Sequence, residues 1–174
     1  MAISLHYAVI PTFLQLLGSA QRLLTMAEER CAGDEAKASE LLEKRLAPDM
    51  LPLAYQFKSC WMHSKMALDG ARAGEFSPDM TPYPTSFAAL REKLDEAVAA
   101  CEAMGEDELE RLTENDLVFR LGDKFRLDFT VQDFLLSFSL PNFYFHVTTA
   151  YAILRNEGLD IGKRVYLGAT RRKS

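Results

Sequence analysis

The chain has 174 residues, 48% of them hydrophobic and 26% charged, with a net charge of −5. That composition is globular rather than disordered, and the length suits one domain, 1–174, burying about 70% of its unfolded surface. The acidic balance argues against nucleic acid as a partner, which would need a basic face, and no apolar run nears the ~20 residues of a membrane span.

The opening "MAISLHYAVIPTF" lacks the basic n-region and Ala-x-Ala site of a signal peptide. Cys31, Cys60 and Cys101 are odd in number and widely spaced. They suit free thiols in a reducing compartment better than a disulfide framework, so a cytoplasmic location is expected.

From Leu5 the apolar residues Val9, Phe13, Leu16, Leu17, Leu23 and Leu24 recur at helical spacing, predicting an amphipathic helix that stops near Ala32–Gly33. Pro11 lies inside that pattern, so the helix either begins there or kinks. "ASELLEKRLA" (Ala38–Ala47) reads as a second, short helix ended by Pro48. A strong helical segment follows from Leu51 to about Arg72, with Asp49 as its candidate cap. Gly74–Ser86 holds three prolines and reads as a surface connection. A helix capped by Thr85 or Ser86 then runs to Gly105, and "DELERL" adds a turn or two.

"DLVFRLGDKFRLDFT" alternates apolar and polar residues on both sides of Gly122–Asp123, which predicts a β-hairpin at about 116–129. Thr130 can cap a last long helix from Val131 to about Asn156, interrupted or kinked at Pro141 and stopped by Gly158. The basic tail, about 161–174, is expected to be a frayed, solvated terminus, with contact to an anionic partner as the alternative. The expected fold is all-α: an antiparallel four-helix bundle with a small hairpin inserted before its last helix.

No GxGxxG, Walker loop, HExxH, GxSxG or paired-cysteine zinc pattern is present. Neither His63 nor His146 follows a glutamate by three residues, which excludes a Glu-x-x-His di-iron bundle. What remains is three histidines: His6 near the start, His63 inside the second long helix and His146 inside the last. Two imidazoles on different helices can converge on one metal, zinc or nickel being the usual choices. One turn from His146 stand Asn142, Phe143, Thr149 and Ala150; one turn from His63 stand Ser59, Cys60, Met66 and Ala67. Only Asn142 and Cys60 among these can ligate. For His146 a hydrogen-bonded core imidazole, a metal or catalytic role, and surface exposure all stay open. The aromatic residues of the last helix, Phe134, Phe138, Phe143, Tyr144, Phe145 and Tyr151, fit burial, a subunit interface or a ligand pocket.

With "RLAPDMLPLAYQF", "LPNFYFHVTTAYAILRNEG" and "IGKRVYLG" in view, the sequence resembles domain-of-unknown-function family 1993 over nearly its whole length. That family is similar in fold to the DinB-like (YfiT-like) superfamily. The resemblance implies an antiparallel four-helix bundle, often dimeric, in which many relatives hold a divalent metal with one second-helix histidine and an HxxxH pair from the last helix. Several relatives are thiol-cofactor-dependent transferases or isomerases. Carried over, His63 matches the second-helix ligand and His146 one member of the pair. The other member's place is held by Asn142 or Ala150, a departure from the pattern. The metal-site expectation is therefore His63, His146 and Asn142. Two functions are expected: a small-molecule-binding or degenerate metal-dependent enzyme, or a non-catalytic dimeric helical protein with an assembly or regulatory role. A homodimer fits either.

Overall fold

The computed structural model describes residues 3–123 and 125–173. α1 spans Leu5–Cys31, and Ser4 Oγ accepts the Tyr7 N–H to cap it. The helix therefore starts before Pro11, not at it. A proline at that position cannot donate to the carbonyl four residues back, Tyr7 O. The tail residue Arg171 takes up this carbonyl at 3.4 Å, with its guanidinium 4.9 Å from the Tyr7 ring centre.

α2 spans Glu35–Leu42 rather than Ala38–Ala47, because Asp34 caps it by accepting the Ala36 and Lys37 N–H groups. α3 (Leu53–Trp61), a π-helical turn (Met62–Met66) and α4 (Ala67–Ala73) make one long run. Pro52, not Asp49, occupies its N-cap, and no side chain caps it; the Leu53 N–H donates to Lys44 O at 2.8 Å instead. α5 spans Phe87–Ala103 with Ser86 as its N-cap, and α6 spans Glu106–Leu112. The last run is α7 (Val131–Asp133, capped by Thr130), a second π-helical turn (Phe134–Ser139) and α8 (Leu140–Asn156). Pro141 lies just after that widened turn, so the run passes through it instead of breaking. Gly158, with φ of 81°, follows the end of α8.

The expected hairpin is present as β2 (Asp116–Leu121) and β3 (Phe125–Thr130), antiparallel with Leu117 opposite Phe129 and Leu121 opposite Phe125. The last of these pairings leaves three residues, not two, in the connection; of these, Lys124 lies outside the described residues. Leu117 and Phe119 face the core. The sheet also has a third strand, β1 (Glu75–Phe76), parallel to β2 and inside the stretch read as a plain connection. It folds back tightly on α4: a Cβ on Gly70 would lie 3.0 Å from Glu75 O and 3.1 Å from Phe76 Cβ. The fold is thus mostly helical with a small three-stranded sheet.

The basic tail is not simply frayed. α9 (Lys163–Leu167) packs on α1, and Gln15 Nε2 donates to Leu167 O at 2.8 Å. α1 also packs against α5 and α8, and α3 against α8 and α5. Phe13, Phe57, Phe134 and Phe143 are fully buried where these runs meet. Among the described residues no helix is long and apolar enough to cross a membrane.

Candidate functional site

Both π-helical turns border one place in the interior, where the α3–α4 run meets the α7–α8 run. A π turn carries one extra residue, which rotates the following side chains and shifts the backbone pairing. The first turn contains His63 and the second contains Phe134, Phe138 and Ser139. The two runs brace each other reciprocally. Ser139 Oγ donates to the His63 carbonyl at 2.7 Å, and His146 Nδ1 lies 2.8 Å from Gln56 Oε1.

The structure brings His63 and His146 together from positions 83 residues apart: their ring centres are 5.6 Å apart, with 11° between the planes. His63 is buried at 7% exposure and stands among aromatic rings, with Phe76 at 6.0 Å and Phe138 at 5.9 Å. His146 is half-buried, with Phe145 at 5.3 Å and Tyr55 at 6.0 Å. His6 is not part of the site; its Nε2 bonds Met104 O near the start of α1.

Hydrogen bonds settle one tautomer. Gln56 is 2% exposed and its Nε2 donates to Leu51 O at 2.8 Å, so its Oε1 is the acceptor facing His146. His146 therefore carries its proton on Nδ1 and keeps the lone pair on Nε2. A carbonyl-type oxygen holding the Nδ1 proton is the usual way a protein orients a ligating imidazole. His63 is different: its Nδ1 is buried with no hydrogen-bond partner. Ser59 Oγ, one turn earlier on the same run, is buried and unpartnered as well. Buried polar atoms without partners are uncommon and ask for an explanation.

Burial, followed by the charge of His146, pushes the pKa of His63 down to about 3. Burial alone pushes that of His146 down to about 4. Both rings are then neutral near pH 7, the form that ligates a metal or accepts a proton. General-base catalysis by His146 near neutrality loses support, because its depressed pKa makes it a weak base.

The donor set fits a divalent metal in part. Two neutral imidazoles, one with its lone pair fixed and the other with an unpartnered nitrogen, suit zinc or nickel. Asn142 Nδ2 donates to Phe138 O at 2.7 Å, which leaves Oδ1 as its free acceptor. Ala150 is buried and offers no donor. Among the described residues no three His, Cys, Asp or Glu side chains gather as a metal-holding group. The residues thus fit an open, two-imidazole site and not a closed one.

Gln56, Ser139 and Phe76 escape a reading of the sequence. Gln56 stands seven residues before His63 and Ser139 seven before His146, each two turns away on its own run. A polar residue at that offset in an apolar stretch is the signal that could have found them.

A DinB family member protein from Shewanella denitrificans superposes with a TM-score of 0.78 at 24% sequence identity, covering 98% of this chain and 95% of that chain. The family of unknown function DUF1993 matches residues 5–167, and the chain belongs to that family. Comparison with curated proteins gave no significant match.

Proposed function

We infer that the chain is a DinB-like antiparallel four-helix bundle, one domain over 1–174, whose site is the His63–His146 pair and whose function is to bind a small molecule there together with a divalent metal. The observation that carries this reading is the unpartnered His63 Nδ1 beside a His146 whose free nitrogen is fixed by Gln56. His63 Nδ1 and His146 Nε2 would hold the metal, with Asn142 Oδ1 as a weaker third donor. A bound metal supplies Lewis acidity. The chain's own contribution is orientation and dryness: Gln56 fixes the His146 ring, Ser139 fixes the backbone at His63, and Phe76 and Phe138 exclude water.

The test is calorimetric titration of tag-free protein with zinc and with nickel. Saturable uptake by the wild type, weakened about tenfold or more in His63→Phe and again in His146→Phe, is expected. Uptake unchanged in both variants, or none in the wild type, contradicts it.

The second reading, a homodimer with an assembly role, is favoured by exposed apolar side chains on the last run: Leu136 at 44%, Tyr144 at 41% and Phe145 at 55%. Light scattering on the eluting protein decides it. A monomer mass at high concentration removes this reading without touching the first.

A further inference from the structure

A cleft lies away from the histidines, where the closing segment packs across α1. It is about 410 Å³ and is lined on the α1 side by Leu14, Gly18 and Arg22, spaced four residues apart on one helix face. Arg164, Val165 and Gly168 form the other wall, with no aspartate or glutamate in the lining.

Three observations set this cleft apart. The first is charge. In this acidic chain Arg45, Arg72, Arg91, Arg120, Arg126 and Arg155 each pair with a carboxylate. Arg22, Arg30, Arg111, Arg164, Arg171 and Arg172 have no such partner among the described residues, and of these Arg22 and Arg164 line this one cavity together. The second is Gly18. Glycine inside a helix is less favourable than alanine, because it has more backbone freedom to lose on folding. A Cβ there would meet nothing within 4 Å, so the helix face at Gly18 opens onto free space that only a larger side chain would fill. The third is Gly168, whose φ is 58° and whose Cβ would collide with Ser19 Oγ. Only glycine lets the closing segment approach α1 this closely, with Ser19 Oγ donating to Gln15 O at 3.2 Å.

We propose that the Arg22–Arg164 cleft binds a small organic anion, a carboxylate or a phosphate monoester carrying an apolar group. Guanidinium forks recognise either anion by paired, charge-assisted hydrogen bonds. Leu14 and Val165 supply the apolar wall for the rest of the molecule. This site is independent of the histidine pair.

The experiment titrates ¹⁵N-labelled full chain with hexanoate and with hexyl phosphate, using hexanol as the neutral control. Saturable shifts of the Gly18, Val165 and Gly168 amides are expected from at least one anion, with Kd of about 1 mM or tighter. Which anion binds more tightly tells the carboxylate from the phosphate class. Arg22→Gln and Arg164→Gln each raise Kd about tenfold or more. Gly18→Leu fills the cleft and abolishes binding, while Gly18→Ala keeps it. His63→Phe also keeps it, which separates this proposal from the metal reading. Equal binding of hexanol, no saturable shift from either anion, or an unchanged Kd in the Arg22→Gln/Arg164→Gln double variant overturns the assignment. The two arginines are exposed, so their variants read binding even if Gly18→Leu does not fold.

Discussion

Replacing His63 with phenylalanine isolates the effect of burying a titratable ring between Phe76 and Phe138. The folded-state pKa of His63 is pushed down to about 3 and that of His146 to about 4, first of all by burial. Both lie below the ~6.5 of an unfolded histidine. The unfolded chain therefore binds more protons than the native one below pH 6.5. Each histidine's contribution is fully present above that pH and is lost as pH falls toward the folded value. Between pH 7 and pH 5 the loss is about 2 kcal/mol for each histidine, at about 1.4 kcal/mol per pKa unit. Few carboxylates protonate in that window, which keeps the histidine effect visible. The assay is urea unfolding in chelator-containing buffer, followed by far-UV circular dichroism and by the fluorescence of Trp61, the single tryptophan. His63→Phe should lose about 2 kcal/mol less than the wild type across this range. At pH 7 it should be about 1 kcal/mol more stable, because an unpartnered buried nitrogen has gone. Parallel pH profiles for the two proteins would refute the burial argument.

Lys58 is fully buried, and its Nζ meets Asp79 Oδ2 at 3.1 Å, Asp79 O at 3.0 Å and Thr81 O at 2.5 Å, strapping the connection 74–86 to α3. Lys58→Met should cost about 3–5 kcal/mol in urea unfolding, since it strands these acceptors; a loss under about 1 kcal/mol would show that the strap is dispensable. Phe143 is fully buried and packs edge-on against Phe13 at 4.9 Å, so Phe143→Ala should cost about 3–5 kcal/mol in the same assay, and a negligible shift of the midpoint would contradict the core assignment. Burial raises the Cys60 thiol and pushes Cys101 up to about 12. Native protein should therefore react with a thiol reagent at pH 8 only as fast as it opens, and immediate labelling of these two cysteines would contradict that.

The helices were legible because they are long and periodic. α1, α5 and the last run follow apolar spacing, and Ser86 and Thr130 cap where short polar residues precede apolar runs. The hairpin showed in its alternation. β1 did not, since two residues carry no period and its position depends on how closely Gly70 lets it approach. Asp49 looked like a cap, but Lys44 O satisfies the first N–H and the chain enters the helix through Pro52. Neither π turn has a sequence signature, so the convergence of His63 and His146 is readable from their places on two helices and from the family resemblance, but their near-parallel approach at 5.6 Å is not. Gln56 as the partner of His146 is a tertiary fact. α9 was missed because its five residues bear no apolar stripe; it holds by packing on α1.

The most direct test of the histidine pair is long-range ¹⁵N NMR of the imidazoles at pH 7, recorded metal-free and then with one equivalent of zinc. Neutral His63 and His146 rings, the His146 proton on Nδ1, and joint ¹⁵N shifts of both rings when zinc is added are expected. A protonated ring, a His146 proton on Nε2, or zinc shifts confined to His6 would contradict that.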